Sequence, residues 1–72
     1  MLIRFEVPAH DEGIYFELRD INGVMWASEE KLTYVITYQG RMCPVRGTTR
    51  EVAARIAAAS RQDAMGLEDS DE

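Results

Sequence analysis

The sequence predicts a small α+β protein: an antiparallel sheet of four or five strands with one C-terminal α-helix packed on one face. Three observations lead there. Apolar and polar residues alternate over residues 2–7, and short apolar runs recur as far as residue 45. The turn-forming residues Gly13, Asn22-Gly23 and Gly40 punctuate those runs. A helix-start signal at Thr48 then opens an alanine-rich stretch with helical spacing.

Taken in order, residues 2–7 form a half-buried strand, with Ile3, Phe5 and Val7 on one face and Leu2, Arg4 and Glu6 on the other. Pro8 cannot donate to a ladder, so the strand ends there or runs along an edge. Residues 9–13 form a polar loop closed by Gly13. Residues 14–21 form a second strand, and 24–28 its return through Asn22-Gly23, the dipeptide most typical of a type I′ hairpin turn. A two-residue turn pairs Ile21 with Val24, Asp20 with Met25, Arg19 with Trp26 and Leu18 with Ala27. That register places Trp26, Val24, Ile21, Tyr15 and Arg19 on one face and Phe16, Leu18, Ala27 and Met25 on the other.

Residues 29–31 make a charged turn. Residues 32–39 form a long strand rich in β-branched and aromatic side chains. Gln39-Gly40 turns the chain into a last strand, 41–45, which Pro44 makes short, bulged or peripheral. Thr48 and Glu51 have capping-box spacing. The helix then spans 49–62, with Val52, Ile56 and Ala59, flanked by Ala53, as its apolar stripe. Arg50, Glu51, Arg55 and Arg61 lie on its other side, and Glu51 and Arg55 stand in the favourable i,i+4 order. Gly66 breaks the pattern. Residues 63–72 read as a disordered acidic tail after a single domain, 1–62.

The chain has 72 residues and a formal net charge of -5. A domain this small buries only about 60% of its unfolded surface, so its core is modest. The charge is unevenly placed. Residues 1–62 hold eight acids (Glu6, Asp11, Glu12, Glu17, Asp20, Glu29, Glu30, Glu51) against eight bases, net zero, so the tail carries the sum. Within the body, the first seven of those acids face only Arg4 and Arg19. Lys31, Arg41, Arg46, Arg50, Arg55 and Arg61 face only Glu51.

Several chemistries find no support in the sequence. Cys43 is the only cysteine and His10 the only histidine. An intrachain disulfide is therefore excluded, and neither a zinc site nor a Cys–His nucleophile is suggested. His10-Asp11-Glu12 reads as a polar loop rather than an acid–base site, and Cys43 as a small strand residue. No phosphate loop, nucleophile elbow or other cofactor motif is present. The expectation is a non-enzymatic protein without cofactor or metal. No run approaches the roughly 18 apolar residues of a membrane span, and the start lacks the apolar core of a signal peptide. With one cysteine, this points to the cytoplasm.

The pattern Gly40-x4-Val45-x2-Thr48-x2-Glu51-Val52-x3-Ile56 resembles the ending of small bacterial flagellar and swarming-motility regulators. The resemblance covers residues 40–56 and implies a strand–cap–helix joint. The N-terminal half departs from that family's pattern, so no function is carried over.

The function expected is protein binding. One short helix cannot cover both apolar faces of the sheet, and an uncovered apolar face marks an interaction surface. Tyr15, Arg19 and Trp26 have the chemistry of interface hot spots. Glu17, Asp20, Glu29 and Glu30 are the candidate charged contacts. A protein partner is expected, with a homodimer as an open alternative. A more specific version is an inhibitor encoded by a phage or mobile element, of the anti-CRISPR kind, whose acidic residues (Glu12 included) face the basic groove of a nucleic-acid-binding host protein. A third class is nucleic-acid binding through Arg41, Arg46, Arg50, Arg55 and Arg61. The acidic tail and the missing RNA-binding aromatic pattern speak against it.

Overall fold

A computed structural model describes the backbone of residues 1–8 and 12–70, and side chains within that span up to residue 64. Strand β1 (Leu2–Glu6) pairs antiparallel with β2 (Gly13–Glu17). Alternation decides the faces of this hairpin. Ile3 pairs with Phe16 and Phe5 with Ile14, all turned to the core. Leu2, Arg4 and Glu6 pair with Glu17, Tyr15 and Gly13 on the outer side.

A 3-10 turn, Leu18–Asp20, leads into β3 (Ile21–Ala27). With β4 (Leu32–Thr37) and β5 (Met42–Val45) it makes a second antiparallel sheet in the order β3-β4-β5. The five strands thus form two sheets, one of two strands and one of three, rather than one. Two backbone bonds tie them at their ends: Arg46 N donates to Glu6 O (2.8 Å), and Tyr38 N donates to Asp20 O (2.9 Å). Helix α1 (Thr49–Ser70) closes the fold.

Asn22-Gly23 does not turn the chain. A type I′ turn needs positive φ at both central residues. Among the described residues, positive φ occurs only at Lys31, Gly40 and Gly47. Asn22 and Gly23 instead lie inside β3, where Ile21 faces Thr37 and Gly23 faces Ile36, so Asn22 forms a bulge. The pairings expected of that turn are therefore absent. Trp26 faces Thr33 and Met25 faces Tyr34. The physical reason is competition for partners. β2 satisfies its ladder against β1, and β3 finds a longer apolar partner in β4.

The other turn residues behave as their chemistry dictates. The β3–β4 turn closes with Lys31 N donating to Ala27 O (2.8 Å), and Lys31 itself has φ 56°. Gly40, at φ 89°, reverses β4 into β5; there Thr37 N donates to Arg41 O (3.0 Å) and the Thr37 hydroxyl accepts from Arg41 N (3.2 Å). β5 has four residues and lies at the sheet edge, where Pro44 is tolerated.

The capping box forms in both directions. Glu51 N donates to Thr48 Oγ1 (3.0 Å) and Thr48 N to Glu51 Oε1 (3.2 Å). The inner stripe of α1 is Thr49, Val52, Ile56, Ala59 and Asp63, at helical spacing, with Val52 and Ala59 buried. Ala53, expected to flank it, is exposed. The buried Thr33 hydroxyl donates to Gly47 O (2.8 Å) and lies 3.4 Å from the Thr49 hydroxyl, fastening β4 to the helix entry. The core joins Ile3, Phe5 and Phe16 of the hairpin to Val35, Val45, Val52 and Ala59.

α1 runs past the expected end at Gln62, so residues 63–70, assigned to a disordered tail by composition, are helical. Ala64, Met65 and Leu67 are strong helix formers, and one Gly66 costs only about 1 kcal/mol. Asp71 and Glu72 lie outside the described residues, as does the His10-Asp11 pair. The expected Glu51–Arg55 ion pair is not formed. Glu51 caps the helix and Arg55 reaches across to β1.

Gly23 and Gly40 predict opposite responses to alanine. At Gly23 an added Cβ meets nothing within 4 Å and φ is not positive, so Gly23→Ala should be neutral or stabilise by about 0.4–1 kcal/mol. Gly40→Ala forces a side chain into the left-handed region and should destabilise by about 1–2 kcal/mol. Urea denaturation of the two variants measures both. A strong loss at Gly23 would restore the hairpin turn.

Candidate functional site

The three-stranded sheet has one covered and one bare face. Pairing fixes which residues share each. Val24, Trp26, Thr33, Val35, Cys43 and Val45 turn toward α1 and the β1–β2 hairpin. Met25, Tyr34 and Pro44 form one row of the opposite face, Gly23, Ile36 and Met42 a second, and Ala27 and Leu32 a third. Helix and hairpin both contribute to the core on the first side, so no described element lies over the second. Its side chains stay accessible: Met25 is 38% and Met42 48% exposed, and Leu32, Tyr34 and Ile36 are half-buried.

This face is almost entirely apolar, with one polar fixture. The Tyr34 hydroxyl donates to Glu30 Oε2 (2.6 Å) across the β3–β4 turn. That bond, aided by the nearby carboxylate charge, holds the Tyr34 pKa above the ordinary tyrosine value.

The residues expected to form a binding surface are divided. Tyr15, 62% exposed, lies on the outer side of β2. With Glu17 and Asp20 it lines a cleft of about 200 Å³ that also includes Thr37, Gln39, Arg41 and Cys43. Glu17 there accepts an ion pair from the Met1 ammonium (2.9 Å). Arg19 is exposed on the 3-10 turn. Trp26 is not on Tyr15's strand pair or face. It sits on β3, the edge strand opposite β5, turned to the helix side yet 49% exposed. Glu29 and Glu30 lie in the β3–β4 turn. The acidic set thus forms two groups, Glu17 with Asp20 and Glu29 with Glu30, rather than one patch.

A second apolar groove, about 400 Å³, runs between β3 and α1, lined by Ile21, Val24, Ala53, Ile56 and Ala57 among others. Small alanines on the helix leave this space. Cys43 is half-buried against the core, opposite Val35, as a strand residue. Among the described residues, no three His, Cys, Asp or Glu side chains are grouped to hold a metal ion. Nor is any helix long and apolar enough to cross a membrane.

No family model, curated protein or solved structure matches this chain. The bare face therefore rests on its own geometry.

Met25, Tyr34, Ile36 and Met42 were not among the expected contact residues. A signal for them exists in β4, where both phases of the alternation are apolar or β-branched: Leu32, Tyr34 and Ile36 against Thr33, Val35 and Thr37. A strand apolar in both phases needs two covers, and the described elements supply one.

The Tyr34–Glu30 bond is directly testable. Glu30→Gln should lower the Tyr34 pKa toward the ordinary tyrosine value, read by NMR titration of the ring. The sign for stability follows. A raised folded-state value favours the neutral hydroxyl, so this contribution is intact below the unfolded tyrosine pKa and is lost as pH rises through the folded one. An unshifted Tyr34 titration in Glu30→Gln would rule the bond out.

Proposed function

We propose that the chain is a non-catalytic protein-binding module whose contact surface is the outer face of β3, β4 and β5. The observation that carries this reading is the row arrangement of Met25, Ala27, Leu32, Tyr34, Ile36, Met42 and Pro44 on a face without a cover among the described residues. Apolar area left in water is a cost to the isolated chain and a gain on association, at about 25 cal/mol per Å². Methionines on it adapt to a partner's contour.

Size argues for a partner other than a second copy. The longest strand has seven residues. Three strands spaced about 4.8 Å apart and rising about 3.3 Å per residue make a face of roughly 14 by 23 Å, about 300 Å² in projection. A stable interface buries about 800 Å² per partner, so two copies stacked by this face alone fall short. The partner is instead a protein with a complementary apolar surface wider than the sheet. It laps over the β3 edge, where Trp26 is half-exposed and has the character of an anchor.

Capture from the source cell identifies the partner, and titration of that purified protein tests the surface. Met25→Glu and Met42→Glu alter exposed side chains and should leave the far-UV spectrum and thermal midpoint nearly unchanged. Each should weaken binding by about tenfold or more, since a charge enters a desolvated contact. Trp26→Ala should lose a similar factor. Sedimentation of the free chain should give a monomer. Unchanged affinity in the Met25→Glu/Met42→Glu double variant would refute the surface.

A further inference from the structure

Three arginines from distant parts of the chain line one cleft. Arg4 projects from β1, Arg46 follows β5 and Arg55 lies in the second turn of α1. With Glu6 and Gly47 they line a cavity of about 420 Å³. Among the described lining residues, three carry positive charge and one negative.

Contacts from several elements hold these arginines in place. Arg55 donates to the Arg4 backbone carbonyl, and its guanidinium carbon lies 4.6 Å from the centre of the Phe5 ring. Neither contact neutralises it. Arg4 lies across Gly13; a Cβ on that residue would come within 2.1 Å of Arg4 Nε, so the glycine makes the room. Arg46 donates to Pro8 O (3.4 Å) and to Glu6 Oε2 (3.5 Å). The other Glu6 oxygen is 4.0 Å from Arg4 Nη1. One carboxylate is therefore shared between two arginines, at distances well beyond the roughly 2.7–2.9 Å of a tight charge-assisted bond. Gly47, at φ 109°, presents bare backbone to the same space.

A planar guanidinium offers paired N–H donors that match the oxygens of a phosphate, and three arginines around one cleft can meet a tetrahedral anion from several sides. A phosphate monoester carries about -1.5 to -2 charge at pH 7, which complements the lining. We propose that this cleft binds a phosphate monoester group, as free phosphate or as the terminal phosphate of a small molecule. A nucleic-acid backbone fits less well. Of the five arginines considered for that role, only Arg46 and Arg55 enter the cleft, whereas Arg41 lines a different one beside Glu17 and Asp20.

The test titrates the full chain, at constant ionic strength set with chloride, with inorganic phosphate, a nucleoside monophosphate and a short single-stranded oligonucleotide, read by amide NMR shifts. Binding by phosphate or the monophosphate, with shifts centred on Arg4, Arg46, Gly47 and Arg55, is expected. Glu6→Gln removes the one acid among the described lining residues without touching the core and should tighten binding about fivefold, the size expected of one unit charge a few ångström away in water. Arg4→Gln should weaken it by a similar factor, and Met42→Glu should leave it unchanged, which separates this site from the sheet face. Shifts no larger than those from chloride, equal affinity in Glu6→Gln, or tighter binding of the oligonucleotide than of the monophosphate would each overturn the proposal.

Discussion

The Phe5 ring is the point at which every layer of this protein meets. It is 1% exposed and packs edge-on against Phe16, with ring centres 6.0 Å apart. It belongs to the same cluster as Val35 and Val45 of the second sheet and Val52 of the helix, and Arg55 lies over it. The helix cannot fill that role alone, because among its described side chains the inner stripe offers Val52, Ile56 and Ala59 as apolar groups. A helix of small side chains comes close to a sheet but leaves much of it uncovered. The β1–β2 hairpin supplies the missing volume from the same side through Ile3, Phe5 and Phe16.

That arrangement has a consequence for the surface. Both covering elements sit on one side of the three-stranded sheet, so the other side stays bare. A chain with a second helix, or larger residues in place of Ala53, Ala57 and Ala59, would have more apolar surface to distribute. This one has a single core, and the apolar residues of the opposite face have no partner among the described elements. The same alternation that turns Phe5 inward turns Arg4 and Glu6 outward, beside Arg46 and Arg55. Core and arginine cleft are two sides of one strand.

Much of the local structure was legible in the residues themselves. The Thr48–Glu51 box, the Gly40 turn, the short edge strand at Pro44 and the faces of β1 all follow from side-chain chemistry acting within a few residues. Asn22-Gly23 was misleading for a related reason. The dipeptide permits a tight turn but does not require one, and Asn and Gly are equally at home in a bulge. The helix end was misjudged because a lone glycine lowers helix stability without ending it. Of the candidate contact residues, Tyr15, Glu17 and Asp20 were brought to one cleft. Trp26 went to another part of the surface once the hairpin register was lost.

The sequence by itself determined the α+β class, four or five strands, the helix start and the presence of more apolar sheet surface than one helix covers. These depend on period, propensity and capping, which act over short distances. Only the tertiary structure decided that the strands divide into two sheets, that helix and hairpin share one face, and that Arg4, Arg46 and Arg55 meet. Those outcomes depend on which strand wins which neighbour. That choice is a competition between long-range pairings of similar local quality, and the packing of Phe5 against both sheets and the helix is what distinguishes them.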